Sequence, residues 1–337
     1  MKKILVAGAR GFIGFNAIKR WIKQDPNLTI LAIDANTYAD RFLLEKKEIW
    51  EDSTNRDFRR DAIRHYILDL SSPKAKNYVK MWCEHFKIDT IIDFHAESHV
   101  DNSISNPTIF FNSNVIGTVN LLEVAKNLDL RFHYVSTDEV VGPISPEEAK
   151  NRIKTADEDA QYDPSSPYSA SKAGAELAVK CYAKTFGLKA TISRCTNNFG
   201  PWQFPEKLIP LSIKKILNGE KIPIYGDGLQ RRFWIHVDQH IDAIKAILDY
   251  GIPDGRIYNI APKPENLKTN ISLLETIAST LGKKLDDCIE HVKDRLAHDT
   301  CYWLESKRMQ QDTNWIDAGN FDADMTNTIQ WFKEVFS

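Results

Sequence analysis

Tyr168-Ser169-Ala170-Ser171-Lys172 sets a phenol four residues ahead of an ammonium. On a helix that spacing is about one turn, so the two side chains share a face. An ammonium near a phenol stabilises the phenolate and lowers its pKa, which suits a group that takes or returns a hydroxyl proton during hydride transfer. A pair at this spacing also arises by chance, so its context decides. Upstream, Gly8-Ala9-Arg10-Gly11-Phe12-Ile13-Gly14 is a GxxGxxG placed directly after the apolar run Ile4–Ala7. Glycines there permit a tight turn and a close backbone approach to a pyrophosphate, which the following helix N-terminus binds. Asp34 ends the next apolar run, twenty residues after Gly14. A carboxylate at that point accepts from ribose hydroxyls and repels a 2′-phosphate, so the expected dinucleotide is NAD rather than NADP. Between these motifs lies Ser136-Thr137-Asp138-Glu139, at the end of a further apolar run.

These groups need elements to hold them. Ile4–Ala7, Thr29–Ile33, Thr90–Phe94, Phe132–Ser136 and Ala190–Arg194 are short, nearly continuous apolar runs bounded by turn residues, and they predict strands. Phe12–Gln24, Ala75–Phe86, Asn112–Asn127 and a segment from Tyr168 to about Phe186 carry helical periodicity. Strands apolar on both faces, alternating with helices, predict a doubly wound α/β fold, a Rossmann-type parallel sheet covered on both sides. Ligands of such sheets sit at the carboxyl ends of the strands, where Thr137, Asp138 and Glu139 fall. Beyond Pro201 prolines are scattered among short elements, which predicts a smaller α/β lobe. Residues 1–200 are thus expected to form mainly the dinucleotide-binding domain and 201–337 mainly the substrate lobe, with segments around 230–260 returning to the first. The charge-dense stretch Asp40–Arg64 mixes both signs and reads as a solvated surface helix and loop.

Composition bounds the rest. The 337 residues hold 44 Lys+Arg against 46 Asp+Glu, a formal charge of −2, so no global basic field points to nucleic acid or to an anionic membrane. The longest uncharged run, Asn102–Leu122, is broken by Pro107 and rich in Asn, Ser and Thr, too polar for a membrane span. The basic-then-apolar N-terminus is too short for a secretory signal. Five cysteines without CxxC spacing indicate neither a disulfide framework nor a zinc site, and point to a cytoplasmic protein with reduced thiols. His95 and His99 flank Glu97 at i,i+4 spacing, but they follow a strand and the chemistry needs no metal, so none is expected.

The chain resembles the extended short-chain dehydrogenase/reductases, and among them the nucleotide-diphosphate-sugar 4,6-dehydratases, closest to the branch acting on dTDP-glucose. The likeness runs from about Lys2 to about Phe332 and is carried by HAESHVDNSI (His95–Ile104), STDEV (Ser136–Val140), SSPYSASKA (Ser165–Ala173), NNFGP (Asn197–Pro201), FPEKLIP (Phe204–Pro210), PIYGDG (Pro223–Gly228) and DRLAHD (Asp294–Asp299). The Asp-Glu pair after the threonine separates dehydratases from epimerases of the superfamily. The resemblance implies a hydro-lyase that oxidises the sugar at C4 with NAD, eliminates water across C5 and C6, and returns hydride to C6. It implies Glu139 as C5 base, Asp138 as C6 acid, Thr137 as partner of the C4 oxygen, and Tyr168 as C4 base assisted by Lys172.

For NAD the resemblance implies Phe12, Ile13, Asp34, Asp69, Leu70, His95, Ala96, Ser98, Ser113 and Asn198, beside Gly8, Gly11, Gly14, Tyr168 and Lys172. For the nucleotide sugar it implies Ser98, Asn197, Glu206, Lys207, Leu208, Arg232, Asn259, Arg295 and His298, with Pro223, Ile224 and Tyr225 against the base. The substrate so implied is dTDP-glucose, with UDP-glucose next, and the assembly a homodimer through Asn112–Asn127 and Tyr168–Phe186. The alternatives are a nucleotide-sugar 4-epimerase and a non-catalytic NAD-binding regulator. Departures from the family pattern are Ala7, Arg10, Val141, Phe199, Phe233, Leu296-Ala297 and the run Thr300–Trp303. The later ones gather at the base and phosphate end of the substrate.

Overall fold

The structure, a computed structural model, describes residues 2–37, 63–151, 157–294 and 299–336. Its strands are β1 (Lys3–Ala7), β2 (Thr29–Asp34), β3 (Ile63–Ile67), β4 (Thr90–Asp93), β5 (Arg131–Thr137), β6 (Ala190–Cys195), β7 (Asn197–Phe199), β8 (Ile222–Tyr225), β9 (Arg231–His236), β10 (Asp254–Ile260), β11 (Leu267–Thr269) and β12 (Ile289–Val292). The helices that matter below are α1 (Phe12–Gln24), α2 (Ala75–Phe86), α3 (Thr118–Asn127), α4 (Pro167–Phe186), α5 (Leu208–Leu217), α6 (Val237–Tyr250), α7 (Asn270–Thr280) and α8 (Phe321–Phe336).

Seven strands pair in the order β10-β6-β5-β4-β1-β2-β3, all parallel. In β1, Ile4, Leu5, Val6 and Ala7 are all fully buried, as a strand covered on both faces requires. On one face Ala17, Ile18 and Trp21 of α1 meet Ile241, Ile244 and Ile247 of α6 over the sheet. On the other, Val79 and Cys83 of α2, Leu121 and Val124 of α3, and Ala175 and Val179 of α4 form the second core. The chain winds outward one way through β1, β2 and β3, then the other way through β4, β5 and β6, so the order reverses beside β1 and β4. At that reversal a crevice opens above the strand ends.

The later residues divide between two places. Helices α5, α7 and α8 and strand β8 bury Ile209, Ile213, Ile224, Leu273, Ile277, Met325 and Phe332 in a separate core. Strands β11, β9 and β7 form a three-stranded sheet, and β12 pairs with β8. By contrast, α6 is tied to α1 through Arg20, which donates to both oxygens of Asp242 at 2.7 and 2.6 Å, and β10 pairs with β6 along its whole length.

Three elements differ from the sequence expectations. The stretch expected as a charged surface helix and loop lies outside the described residues up to position 62, and its last two residues open β3. That strand is only half-buried at the sheet edge, so Ile63-Arg64-His65-Tyr66-Ile67 lacks the apolar run that marks the inner strands. The helix expected over Asn112–Asn127 is longer and interrupted: Pro107–Phe110 starts it with proline at its first turn, a π-helix follows over Phe111–Gly117, and α3 completes it. The strand expected over Thr90–Phe94 ends at Asp93.

Candidate active site

The turn from β1 into α1 shows why glycines stand there. Gly8 has φ +71°, and a Cβ on it would lie 2.6 Å from the His95 backbone nitrogen. A Cβ on Gly14 would lie 2.2 Å from the Gly8 carbonyl oxygen, so only glycine lets α1 pack this close to the turn. No side chain among the described residues caps the α1 N-terminus. Asp34, at the end of β2, accepts from the Arg10 and Asn36 N–H groups at 2.9 and 3.0 Å, which fixes its carboxylate beside the turn. Arg10, the departure inside the loop, is buried, near enough to His65 of β3 that it adds to burial in pushing that imidazole's pKa down.

A cleft beside this turn is lined by Gly8, Gly11, Asp34, Asp69, Leu70, His95, Ala96 and Ser113, all expected from the sequence, and by Ala35, Thr37, Leu68, Phe94 and Glu97, which were not. The added residues adjoin expected ones in the chain, and nothing in their types signals a ligand. Phe12 and Ile13, half-buried, pack against the α1–α6 core. Asn198 lies deeper, its carbonyl oxygen 2.9 Å from His240 Nδ1 and its amide donating to the Thr196 carbonyl at 3.0 Å.

Strand β5 carries Thr137 to its carboxyl end, and a short 3-10 turn, Asp138–Val141, follows. The Thr137 hydroxyl donates to Asp138 Oδ1 at 3.1 Å and accepts from the Glu139 N–H at 3.4 Å. Asp138 is 3 % exposed, and its Oδ2 is buried with no hydrogen-bond partner among the described residues. Burial first, and then the neighbouring Glu139, push its pKa up to about 7, against a smaller downward pull from Arg232 and Thr137. Glu139 is half-buried and faces a second cleft.

Helix α4 brings Tyr168 and Lys172 to the same place. Its start is written in Ser165-Ser166-Pro167: Ser166 Oγ accepts from the Ser169 N–H at 3.1 Å, Ser169 Oγ accepts from the Ser166 N–H at 3.0 Å, and Pro167 opens the first turn. Lys172 is 3 % exposed; it donates to the Val135 carbonyl at 2.7 Å and lies 4.3 Å from the centre of the Tyr134 ring. Burial pushes its pKa down to about 8, while Asp93 and Glu176 support the charge. The expectation that Lys172 draws the Tyr168 phenol towards neutrality is not met by the protein alone. Burial and the Glu139 charge raise the phenol above its ordinary value, and the Thr137 hydrogen bond only partly offsets them. The reason is geometric: the ammonium is committed to the Val135 carbonyl, and carboxyl groups flank the phenol.

The second cleft is lined by Ser98, Glu139, Asn197, Glu206, Lys207, Leu208, Pro223, Tyr225 and Arg232, as expected. Lys207 reaches across to the Ser98 carbonyl at 3.0 Å. Two expected residues fall elsewhere. Ile224 is buried in the lobe core because alternate residues of β8 point inward, and Asn259 is fully buried in β10, its amide donating to the Glu305 carbonyl at 3.1 Å. Arg295 and His298 lie outside the described residues. What the sequence did not single out is the support of Arg232. This guanidinium donates to the carbonyls of Arg231 and Asp299 at 2.8 and 2.9 Å and stacks 4.5 Å over the Tyr302 ring. Tyr302 and Ser165 both donate to Asp299 Oδ2, the former at 2.5 Å. Tyr302 also lines the cleft. It sits in the run Thr300–Trp303 that departs from the family pattern, and that was the available signal.

Among the described residues no three His, Cys, Asp or Glu side chains gather as a metal site. A nucleotide-binding crevice at a sheet reversal, a Tyr–Lys pair and a raised carboxyl group define a Rossmann-type enzyme built for proton and hydride transfer. The chain matches the NAD dependent epimerase/dehydratase family over residues 4–261, and it belongs to that family. It is 36% identical to a dTDP-glucose 4,6-dehydratase of Mycobacterium tuberculosis, over 98% of this chain and 93% of the relative. A solved dTDP-glucose 4,6-dehydratase from Streptomyces venezuelae, with NAD bound, superposes with a TM-score of 0.86 at 32% identity, covering 98% of this chain and 97% of that one. The fold is shared more widely: a UDP-glucose 4-epimerase from Thermotoga maritima gives a TM-score of 0.83 at 20% identity, over 99% of this chain and 100% of that one.

Proposed function

We propose that this enzyme is a hydro-lyase converting dTDP-glucose to its 4-keto-6-deoxy form. The observation that carries this reading is Asp138: a buried carboxyl with an unpartnered oxygen and a pKa near neutrality, adjoining the half-buried Glu139. Elimination of water across C5 and C6 needs one carboxylate and one carboxylic acid at the same time, and unlike surroundings give neighbouring carboxyls those two states. Glu139 takes the C5 proton, acidified by the ketone at C4, and gives a proton back to C5 when hydride is returned to C6. Asp138 gives its proton to the departing C6 hydroxyl. Tyr168 takes the C4 hydroxyl proton, with Thr137 bonded to the same oxygen and Lys172 assisting from one helical turn along α4.

Gly8, Gly11 and Asp34 line the cleft beside the start of α1, where glycine backbone would approach a pyrophosphate and the carboxylate a ribose, so the residues present fit NAD. Bound there, NAD would supply the hydride acceptor for the C4 oxidation and the hydride donor for C6. Arg232 and Lys207 are the cations placed for the sugar nucleotide's pyrophosphate, with Asn197, Glu206 and Leu208 beside them and Pro223 and Tyr225 against the base. The cofactor domain comprises residues 1–200 together with α6 and β10, and the remaining late segments form the substrate lobe; the packing of α6 on α1 and the pairing of β10 with β6 support that division.

Incubation with dTDP-, UDP-, CDP- and GDP-hexoses, followed by NMR, tests the reading. A 4-keto-6-deoxy sugar from dTDP-glucose is expected. A C4 epimer would instead make it an epimerase, and no turnover despite tight NAD binding would make it a regulator. Glu139→Gln is expected to block elimination while C4 oxidation proceeds, so reduced cofactor accumulates on dTDP-glucose and shows in the near-ultraviolet spectrum. Normal turnover by this variant would remove Glu139 from its role.

The enzyme is further read as a cytoplasmic homodimer. Five free cysteines suit a reducing compartment, and no helix among the described residues is long and apolar enough to cross a membrane. Ile109, Phe111 and Ile116 on the first helical run, and Leu177 and Phe186 on α4, are each 43–53 % exposed. Large apolar side chains on adjacent helices suit a second copy of the chain.

A further inference from the structure

The end of β4 and the loop after it hold a buried charge pair that none of the steps above employs. His95 Nδ1 meets Asp93 Oδ1, and His95 Nε2 lies 3.0 Å from the Ser113 carbonyl oxygen. Asp93 is fully buried; its Oδ1 also accepts from the His95 N–H at 3.2 Å, and its Oδ2 accepts from the Thr118 hydroxyl at 3.0 Å. In both of these bonds Asp93 is the acceptor. A carboxylate and a backbone carbonyl can only accept, so both ring nitrogens of His95 must donate. A neutral imidazole carries one N–H; only the imidazolium carries two. Burial works against that charge, but Asp93 and the Ser113 carbonyl outweigh it and leave the pKa raised.

The surroundings are shaped to this ring. A Cβ on Gly117 would lie 2.5 Å from His95 Nε2, so glycine at the end of the π-helix admits it. The neighbouring Asn114 accepts from the Glu97 N–H at 2.8 Å and donates to Ser171 Oγ at 2.8 Å. The π-turn therefore joins the loop 94–97 to α4 one residue from Lys172, and its Ser113 lines the dinucleotide cleft together with His95. The titratable groups facing the pair are Asp93 from β4, Lys172 from α4 and, across Asp93, Tyr134 from β5.

We propose that His95 is a positioning residue held as an imidazolium, its two ring N–H groups tying Asp93 of β4 to the Ser113 carbonyl and so locking the π-turn against the dinucleotide cleft. The proposal rests on the reading of this cleft as the NAD site. Its charge state, however, is a property of the protein alone.

Two measurements test it. In the enzyme labelled with 15N-histidine, the His95 ring is expected to stay doubly protonated through the pH range in which ordinary histidines lose a proton. A neutral ring at neutral pH would overturn the proposal, and this holds whether or not any variant folds. In parallel, NADH binding by fluorescence is expected to be flat across that range for the parent. For Asp93→Asn it is expected to weaken about tenfold as pH rises and the unsupported ring loses its proton. An Asp93→Asn variant as tight and as flat as the parent would also overturn it. If the parent binds no NADH while His95 is doubly protonated, the cleft assignment fails and the charge assignment stands.

Discussion

At the residue scale, Asp138 and Glu139 are chain neighbours whose surroundings part them. Asp138 is turned into the protein and Glu139 faces the substrate cleft. Because the acid must enter the cycle protonated and its pKa lies at about 7, kcat/KM is expected to fall as pH rises through neutrality. Asp138→Asn should lower turnover by roughly 10²–10⁴ and remove that limb, which a pH–rate profile of both proteins checks. Stability follows the same sign: a carboxyl raised in the folded state holds its proton there while the unfolded chain has lost it, so stability falls from about pH 4 to about pH 7. The residues legible in the sequence were those whose type states their chemistry, such as Asp34, Tyr168 and Lys172. Ser165, Asp299 and Tyr302 were not, because they act through Arg232 and meet only when positions 134 residues apart fold together.

At the element scale, α4 is anchored as firmly as it is capped. Its Glu176 pairs with Arg194 of β6 at 2.9 Å, both side chains essentially without solvent, and the Tyr162 hydroxyl donates to the same carboxylate at 3.0 Å. Glu176→Gln leaves a buried guanidinium without its counter-charge and is expected to cost roughly 3–5 kcal/mol, read as a lowered Tm or denaturation midpoint. Inner strands and capped helices were legible because burial on both faces and Ser-Ser-Pro punctuation leave plain patterns. The edge strand β3 and the π-helix were not. One is half-polar because one side of the sheet ends there, and the other is a local widening that periodicity does not register.

At the scale of the whole molecule, near-neutral charge matters less than where cations sit, with Arg232 and Lys207 both facing one cleft. The apolar helices predict assembly: light scattering is expected to give a dimer mass, and Ile116→Asp with Leu177→Asp a monomer with the fold retained by circular dichroism. A mass of one chain for the parent would remove the dimer. The placement of β10 bears on synthesis. The whole glycine loop, both carboxyls and the Tyr–Lys pair are translated by residue 172, yet the strand that covers β6 is not made until residue 254. Until then a fully buried strand stands at the sheet border with open N–H and C=O groups, a template for other chains. A fragment ending at residue 200 is thus expected to aggregate although it carries the glycine loop, both carboxyls and the Tyr–Lys pair, the border staying open while the next fifty or so residues emerge.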